Sequence, residues 1–170
     1  MKALTYKEAA KAVGSVSELE GRFDSVCTDT RKITPNCLFI ALKGENFDGH
    51  DYAAKALESG AGAVVCERDC GLGERQILVG STRKALLDLA GYYRSLFKIP
   101  FVGITGSVGK TTTKDMVHAA LSAKYNTLKN EGNLNNEIGV PLTLFCLDPS
   151  YEAAVIEMGM SGFGEISAMT

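Results

Sequence analysis

An α/β fold in two units, the second built on a parallel sheet around a phosphate-binding loop, is what the 170-residue sequence predicts. Three observations carry that prediction. Apolar runs of strand length alternate with segments of helical period, the pattern of strand–helix–strand units. Lys98-Ile99-Pro100 ends one helix and opens a new apolar strand, which divides the chain into residues 1–98 and 99–170. The stretch 103–113, GITGSVGKTTT, sets a glycine-rich turn between the apolar run Phe101–Ile104 and a helical run over 110–123.

Taken in order, Thr5 and Glu8 form a capping box for a short helix carrying Ala9, Ala10 and Val13, which Gly14 ends. Phe23 to Cys27 alternates as a strand, Pro35-Asn36 turns the chain, and 37–42 is a buried strand by its continuous apolarity. The polar loop 43–50 carries two glycines and is expected at the surface. A helix over 51–59, strands Ala63–Cys66 and 76–79, and an amphipathic helix with Leu86, Leu89, Tyr93 and Leu96 complete the first unit. The second continues from the loop into a helix whose apolar side is Met116, Val117, Ala120 and Leu121, then a short strand near 125–128. After the asparagine-rich loop 130–137, a segment over 138–147 holds Pro141 in a helical first turn, and a strand over 153–156 ends in Glu157. The chain closes inside a further helix.

Composition narrows the partners. Apolar residues make up 45% of the chain and the formal charge is −2, enough for packed cores and too balanced for a basic stripe. A bound phosphate is therefore expected to belong to a small molecule rather than to nucleic acid. The start, Met1-Lys2-Ala3-Leu4-Thr5, lacks a signal-peptide core and no later run approaches a membrane span, so a cytoplasmic protein is expected. Cys27, Cys37, Cys66, Cys70 and Cys146 are odd in number, lack CxxC spacing and mostly lie in apolar runs. They read as reduced core residues, and a metal role for Cys66 and Cys70 finds little support in a chain with two histidines.

The chemistry concentrates at the glycine turn. Gly106 and Gly109 can take positive φ, so successive N–H groups can converge on one anion. The helix N-terminus adds unpaired amides, Lys110 a point charge, and Thr111 a hydroxyl able to ligate Mg²⁺. Gly106 and Gly109 enclose two residues, where the general signature wants four. Glu157, at the carboxyl end of a buried parallel strand, lies on the same sheet edge as the loop. It can cap the next helix or hold Mg²⁺, and the second role is favoured because the ion needs hard oxygen ligands. Asn133, Asn135 and Asn136 can be turn formers or can position a terminal phosphate or an attacking group, with no sequence reason to choose among them. Lys114, His118 and His50 read as solvated.

These residues resemble the Mur ligases of bacterial cell-wall synthesis. TGSVGKTTTKDM at 105–116, GNLNNEIGVPLTL at 132–144 and AVIEMG at 154–159 match that family, including its two-residue glycine spacing. CTDTRKITPNCLFIALKGENFDGHDYA at 27–53 is similar to its UDP-sugar-binding domain. The resemblance implies a small N-terminal α/β substrate-binding domain, 1–98, followed by the first part of a P-loop parallel-sheet ATPase domain, 99–170. It implies ATP and Mg²⁺, with Thr105, Gly106, Ser107, Val108, Gly109, Lys110 and Thr111 cradling the phosphates and Thr111 and Glu157 on the metal. Lys110 and Glu157 then carry catalysis, and Thr30, Arg31, Glu45, Asn46 and Phe47 hold the uridine end of the substrate, Phe47 against the uracil.

The asparagine-rich stretch, with Asn135 and Asn136 as substrate contacts, points within the family to the members that join D-Ala-D-Ala to UDP-N-acetylmuramoyl-tripeptide through an acyl phosphate. The alternatives are the sister ligase that adds the third amino acid, a nucleotide-binding regulator without ligation, and a UDP-substrate-binding module with a disabled nucleotide site. Family members are far longer and are taken to be monomers. The chain is accordingly expected to be an inactive fragment that binds both ligands weakly.

Overall fold

In the computed structural model, which describes residues 1–160 and 162–169, the chain divides into two units, Met1–Leu89 and Ala90–Thr170. The first begins with β1 (Leu4–Thr5), α1 (Tyr6–Ala12) and β2 (Arg22–Phe23), the two strands pairing antiparallel with Leu4 opposite Phe23. The expected capping box is present: the Glu8 N–H donates to Thr5 Oγ1 at 3.1 Å while the Thr5 N–H donates to Glu8 Oε2 at 2.8 Å.

A parallel sheet follows in the order β3 (Val26–Cys27), β4 (Leu38–Ile40), β5 (Ala63–Cys66), β6 (Gln76–Leu78). Its inner strands read as unbroken apolar runs because both faces are covered. On one face Cys27, Phe39, Ala41, Val64 and Cys66 pack with Ala53 and Ala56 of α2 (Ala53–Glu58). α3 (Thr82–Ser95) buries Leu86 and Leu89. The division between units falls inside α3. Its last turns belong to the second unit, where the buried Tyr93 donates its hydroxyl to the Leu147 carbonyl at 2.6 Å and Arg94 lies over the Phe101 ring at 4.5 Å.

The second unit contains β7 (Phe101–Ile104), α4 (Lys110–Ser122), β8 (Thr127–Lys129), α5 (Gly139–Leu144), β9 (Ala153–Glu157) and α6 (Glu165–Met169). The sheet is parallel in the order β7-β9-β8, so β9 is central and every one of its residues is buried. The register sets Ile104 beside Glu157, which brings the last strand residue before the glycine turn alongside the acid.

Several expectations are corrected. Phe23 to Cys27 is not one strand: Phe23 pairs with Leu4 and stacks on Tyr6 at 5.4 Å, whereas Val26-Cys27 joins the parallel sheet. The helix expected over 51–59 begins as a 3-10 turn, Gly49–Tyr52, before α2. The apolar side of α4 is rotated from the expected one. Met116 is 68% exposed, and the inward residues are Lys114, Val117, His118 and Leu121. His50 is buried rather than solvated, because both ring nitrogens find partners: Nδ1 with Asp48 Oδ1 at 2.5 Å and Nε2 accepting the Glu67 N–H at 2.8 Å. His118, half-buried, is not solvated either and reaches the Thr127 carbonyl at 3.1 Å. Cys27, Cys37 and Cys66 are core residues, but Cys146 is exposed.

Candidate functional site

The glycine turn lies between β7 and α4, on the edge of the sheet where parallel strands end. Gly106 has φ +148° and Gly109 has φ +75°, conformations that a Cβ would strain, and Gly109 serves as the N-cap of α4. Residues 105–109 are exposed, with Val108 outermost. Lys110 folds back over the turn, its Nζ donating to the Gly106 carbonyl at 2.7 Å. The Thr113 hydroxyl donates to the Gly109 carbonyl at 2.9 Å and closes the first turn of the helix.

A cavity of about 350 Å³ opens beside this turn, lined by Ser107, Val108, Gly109, Lys110, Thr111, Thr112, Asn133, Asn135 and Glu157. The structure thus brings together most of the residues singled out in the turn, one asparagine of the predicted pair, and the strand-end acid. Thr105 and Gly106 shape the turn without lining the cavity. Asn136 lies elsewhere, its Oδ1 accepting the N–H groups of Ile138 and Gly139 at 3.1 and 2.8 Å at the start of α5.

Glu157 is 2% exposed and held on three sides. Its backbone is clasped by the fully buried Asn130, which accepts the Glu157 N–H at 2.9 Å and donates to the Glu157 carbonyl at 3.0 Å and to that of Leu134 at 2.8 Å. Its Oε1 accepts from Asn135 Nδ2 at 2.9 Å. Asn135 is itself seated against Gly159, whose N–H donates to the Asn135 carbonyl at 2.6 Å and where a Cβ would meet the amide at 3.3 Å. The buried Lys114 places its Nζ 3.6 Å from Oε2. Burial pushes the carboxyl pKa up, but the Asn135 bond, the neighbouring Thr111 hydroxyl and the Lys114 charge outweigh it and leave the group below the ordinary carboxylate value.

Oε2 has no hydrogen-bond partner although it is buried. An unpartnered anionic oxygen on a carboxylate that neighbours the Thr111 hydroxyl suits a hard dication, so the residues present fit Mg²⁺. Sequence reasoning missed Asn130 and Lys114. The signal for Lys114 was available in its spacing, since three and four residues after Thr111 and Lys110 put it on the same side of a helix.

A second cavity, of about 450 Å³, belongs to the first unit and is lined by Thr28, Asp29, Thr30, Arg31, Phe39, Phe47, Gly49, Tyr52 and Lys55. It gathers Thr30, Arg31 and Phe47 but not Glu45 or Asn46. Asp29 accepts from the Arg31 backbone at 3.0 Å and from its guanidinium at 2.7 to 3.2 Å. Those bonds hold the Asp29 carboxyl at about 2, against an ordinary 3.8. Phe47 and Tyr52 are 56% and 46% exposed, two open ring faces that suit a flat ring.

Comparison with known proteins gives consistent likenesses. The Mur ligase middle domain profile matches residues 104–170, and that of the Mur ligase family, catalytic domain, matches 22–94. A UDP-N-acetylmuramoyl-tripeptide–D-alanyl-D-alanine ligase of Escherichia coli is 50% identical over 153 residues, spanning 88% of this chain and 34% of that protein. The crystal structure of MurF from Acinetobacter baumannii superposes with a TM-score of 0.92 at 33% identity, over 99% of this chain and 38% of that one. MurF from Thermotoga maritima, solved in complex with ADP, gives 0.80 at 36% identity, over 85% and 34% respectively. The chain spans about a third of the length of the curated relatives it matches. No helix among the described residues is long and apolar enough to cross a membrane.

Proposed function

This chain belongs to the Mur ligase family, and on that premise we propose that it is part of an ATP-dependent ligase that joins D-Ala-D-Ala to UDP-N-acetylmuramoyl-tripeptide. Residues 1–98 take the UDP end of the substrate and residues 99–170 the nucleotide. The observation that carries the reading is the cavity where Lys110, Thr111 and a buried Glu157 with one open oxygen meet the glycine turn. The likeness to a MurF solved with ADP supports the same assignment.

In the reaction a carboxylate oxygen of the tripeptide attacks the γ-phosphorus of ATP, the bond from that phosphorus to the β-phosphate oxygen breaks, and ADP leaves. The amine of D-Ala-D-Ala then attacks the acyl phosphate carbon. Phosphate departs with the former carboxylate oxygen, the nitrogen gives up a proton, and an amide remains. Little of this asks for covalent help from the protein, so its work is positioning and charge neutralisation. The backbone N–H groups from Thr105 to Thr111 and the N-terminus of α4 cradle the phosphates. Lys110 exchanges its bond to the Gly106 carbonyl for the terminal phosphates. Thr111 and Glu157 would hold Mg²⁺, which when bound supplies positive charge to the oxygens between which the phosphoryl group moves. Asn135 fixes the Glu157 carboxylate, and Asn136, capping α5, acts on substrate only through the loop it shapes. In the first unit Thr30, Arg31 and Phe47 receive the uridine diphosphate end, with Phe47 and Tyr52 as stacking faces and Glu45 and Asn46 on the flanking loop.

Calorimetric titration of the chain with ATP·Mg²⁺ and with the UDP-linked tripeptide tests the two halves separately. Both should bind; Lys110→Ala should remove the first heat and leave the second. In a full-length ligase that contains this segment the same substitution should abolish ADP release coupled to D-Ala-D-Ala. Near-normal amide formation by that variant would reject the assignment of the loop.

A further inference from the structure

The pairing of Lys114 with Glu157 has a chemistry of its own. Both side chains are almost wholly buried, at 3% and 2% exposure, and Nζ stands 3.6 Å from Oε2. That separation is too long for a directional hydrogen bond, so the contact is one of charge. Oε1 is already taken by Asn135, and Oε2 keeps its lone pairs free. A carboxylate this deep needs a partner for its charge, and Lys114 is the cation within reach. Lys110, one turn earlier on α4, turns outward to the loop carbonyl instead. The helix therefore carries two ammonium groups with separate tasks.

We propose that Lys114 is a positioning residue, the resident counter-ion of Glu157, which disfavours a bare divalent cation at Oε2 and admits one only together with nucleotide phosphates. The inference rests on the reading of Glu157 as a cation ligand. A dication bound at Oε2 would lie close to Nζ and be repelled in a poorly screened interior. Phosphates arriving with the cation add negative charge that offsets this repulsion. In the absence of nucleotide the lysine holds the carboxylate in place.

The test uses Mn²⁺ alone as the probe, its binding to the full 170-residue chain followed by electron paramagnetic resonance without nucleotide. Lys114→Met should tighten Mn²⁺ binding by at least about tenfold, the scale expected when one buried like charge is removed. Lys114→Arg should restore the weak binding of the parent, a rescue that a purely structural anchor would not produce in the cation affinity. A folded Lys114→Met variant with unchanged or weaker Mn²⁺ binding overturns the inference. Glu157→Gln separates it from the reading beneath. If that change abolishes Mn²⁺ binding while Lys114→Met brings no gain, only the counter-ion role fails. If Lys114→Met gains affinity that the added Glu157→Gln leaves intact, the ligand assignment fails with it. Should Lys114→Met not fold, the double variant decides: refolding on removal of the stranded charge supports the pairing, and a double variant as unfolded as the single overturns it.

Discussion

Glu157 has four neighbours with four different jobs: Asn130 holds its backbone, Asn135 one oxygen, Lys114 balances its charge, and the Thr111 hydroxyl favours its charged carboxyl. Replacing it by Gln keeps size and hydrogen bonding but removes the charge that a hard cation favours. ATP binding by Glu157→Gln should therefore need a higher Mg²⁺ concentration, read as a shifted midpoint in a Mg²⁺ titration of nucleotide affinity. An unshifted midpoint would return Glu157 to the role of a helix cap. Asp29 offers a test by pH. Its carboxyl is held at about 2 against an ordinary 3.8 by Arg31, so the folded state favours the charged form. The stability it contributes is complete above about pH 4 and is lost as pH falls through about 2. Because the pair is exposed the effect on global stability is small. A side-chain carbon NMR titration should place the Asp29 midpoint near the lower value, and Arg31→Ala should move it up toward 3.8. At this scale the loop residues were legible from their types alone, since glycine, lysine and threonine in that order have few other uses. Lys114 was misread although its spacing from Lys110 and Thr111 placed it on their side of the helix, because a rule that reads charge as solvated overrides that spacing.

At the scale of the element, two devices hold strands and helices that are short. The capping box of α1 satisfies helix-end amides in a helix of only seven residues. Thr5→Ala should cost about 1 kcal/mol in denaturant unfolding. Asn130 does for the β8–β9 junction what a ladder would do if the strands ran on. Asn130→Ala strands a buried N–H and two carbonyls, and should cost about 2–4 kcal/mol by the same measurement; a loss under about 0.5 kcal/mol would mean that water or rearrangement replaces the clasp. The rotated face of α4 shows why its inward side escaped hydropathy: Met116 and Ala120 are apolar yet exposed, while Lys114 and His118 turn inward with polar partners. Periodicity identifies that a helix has two sides, but the partner of each side is set by the sheet it meets.

For the molecule as a whole, the alternation of strands and helices was enough to read two α/β units, since parallel strands need crossovers and crossovers need helices. The order β7-β9-β8 was beyond reach of that reasoning. Nothing in the spacing of apolar residues says that the last strand enters between the first two. Each unit has its own buried set, Ile77 in the first and Ile156 in the second among them. Ile77→Ala and Ile156→Ala should each cost about 3 kcal/mol, recorded by amide exchange mainly in the unit that carries the change. Within the second sheet, the amides of β9 should exchange last because it is paired on both sides.

The Asn130 clasp also makes one covalent change unusually consequential. Its side chain works only as an amide, one end accepting from Glu157 and the other donating to two carbonyls. Hydrolysis to aspartate exchanges that donor for a second acceptor and sets a negative charge against the Glu157 and Leu134 carbonyls, deep beneath the acid the loop depends on. The new carboxylate would be buried without a donor on that side. An Asn130→Asp change, one mass unit and no other residue, would then open the strand end. The candidate cation site at Glu157 would be disturbed while most of the fold persisted.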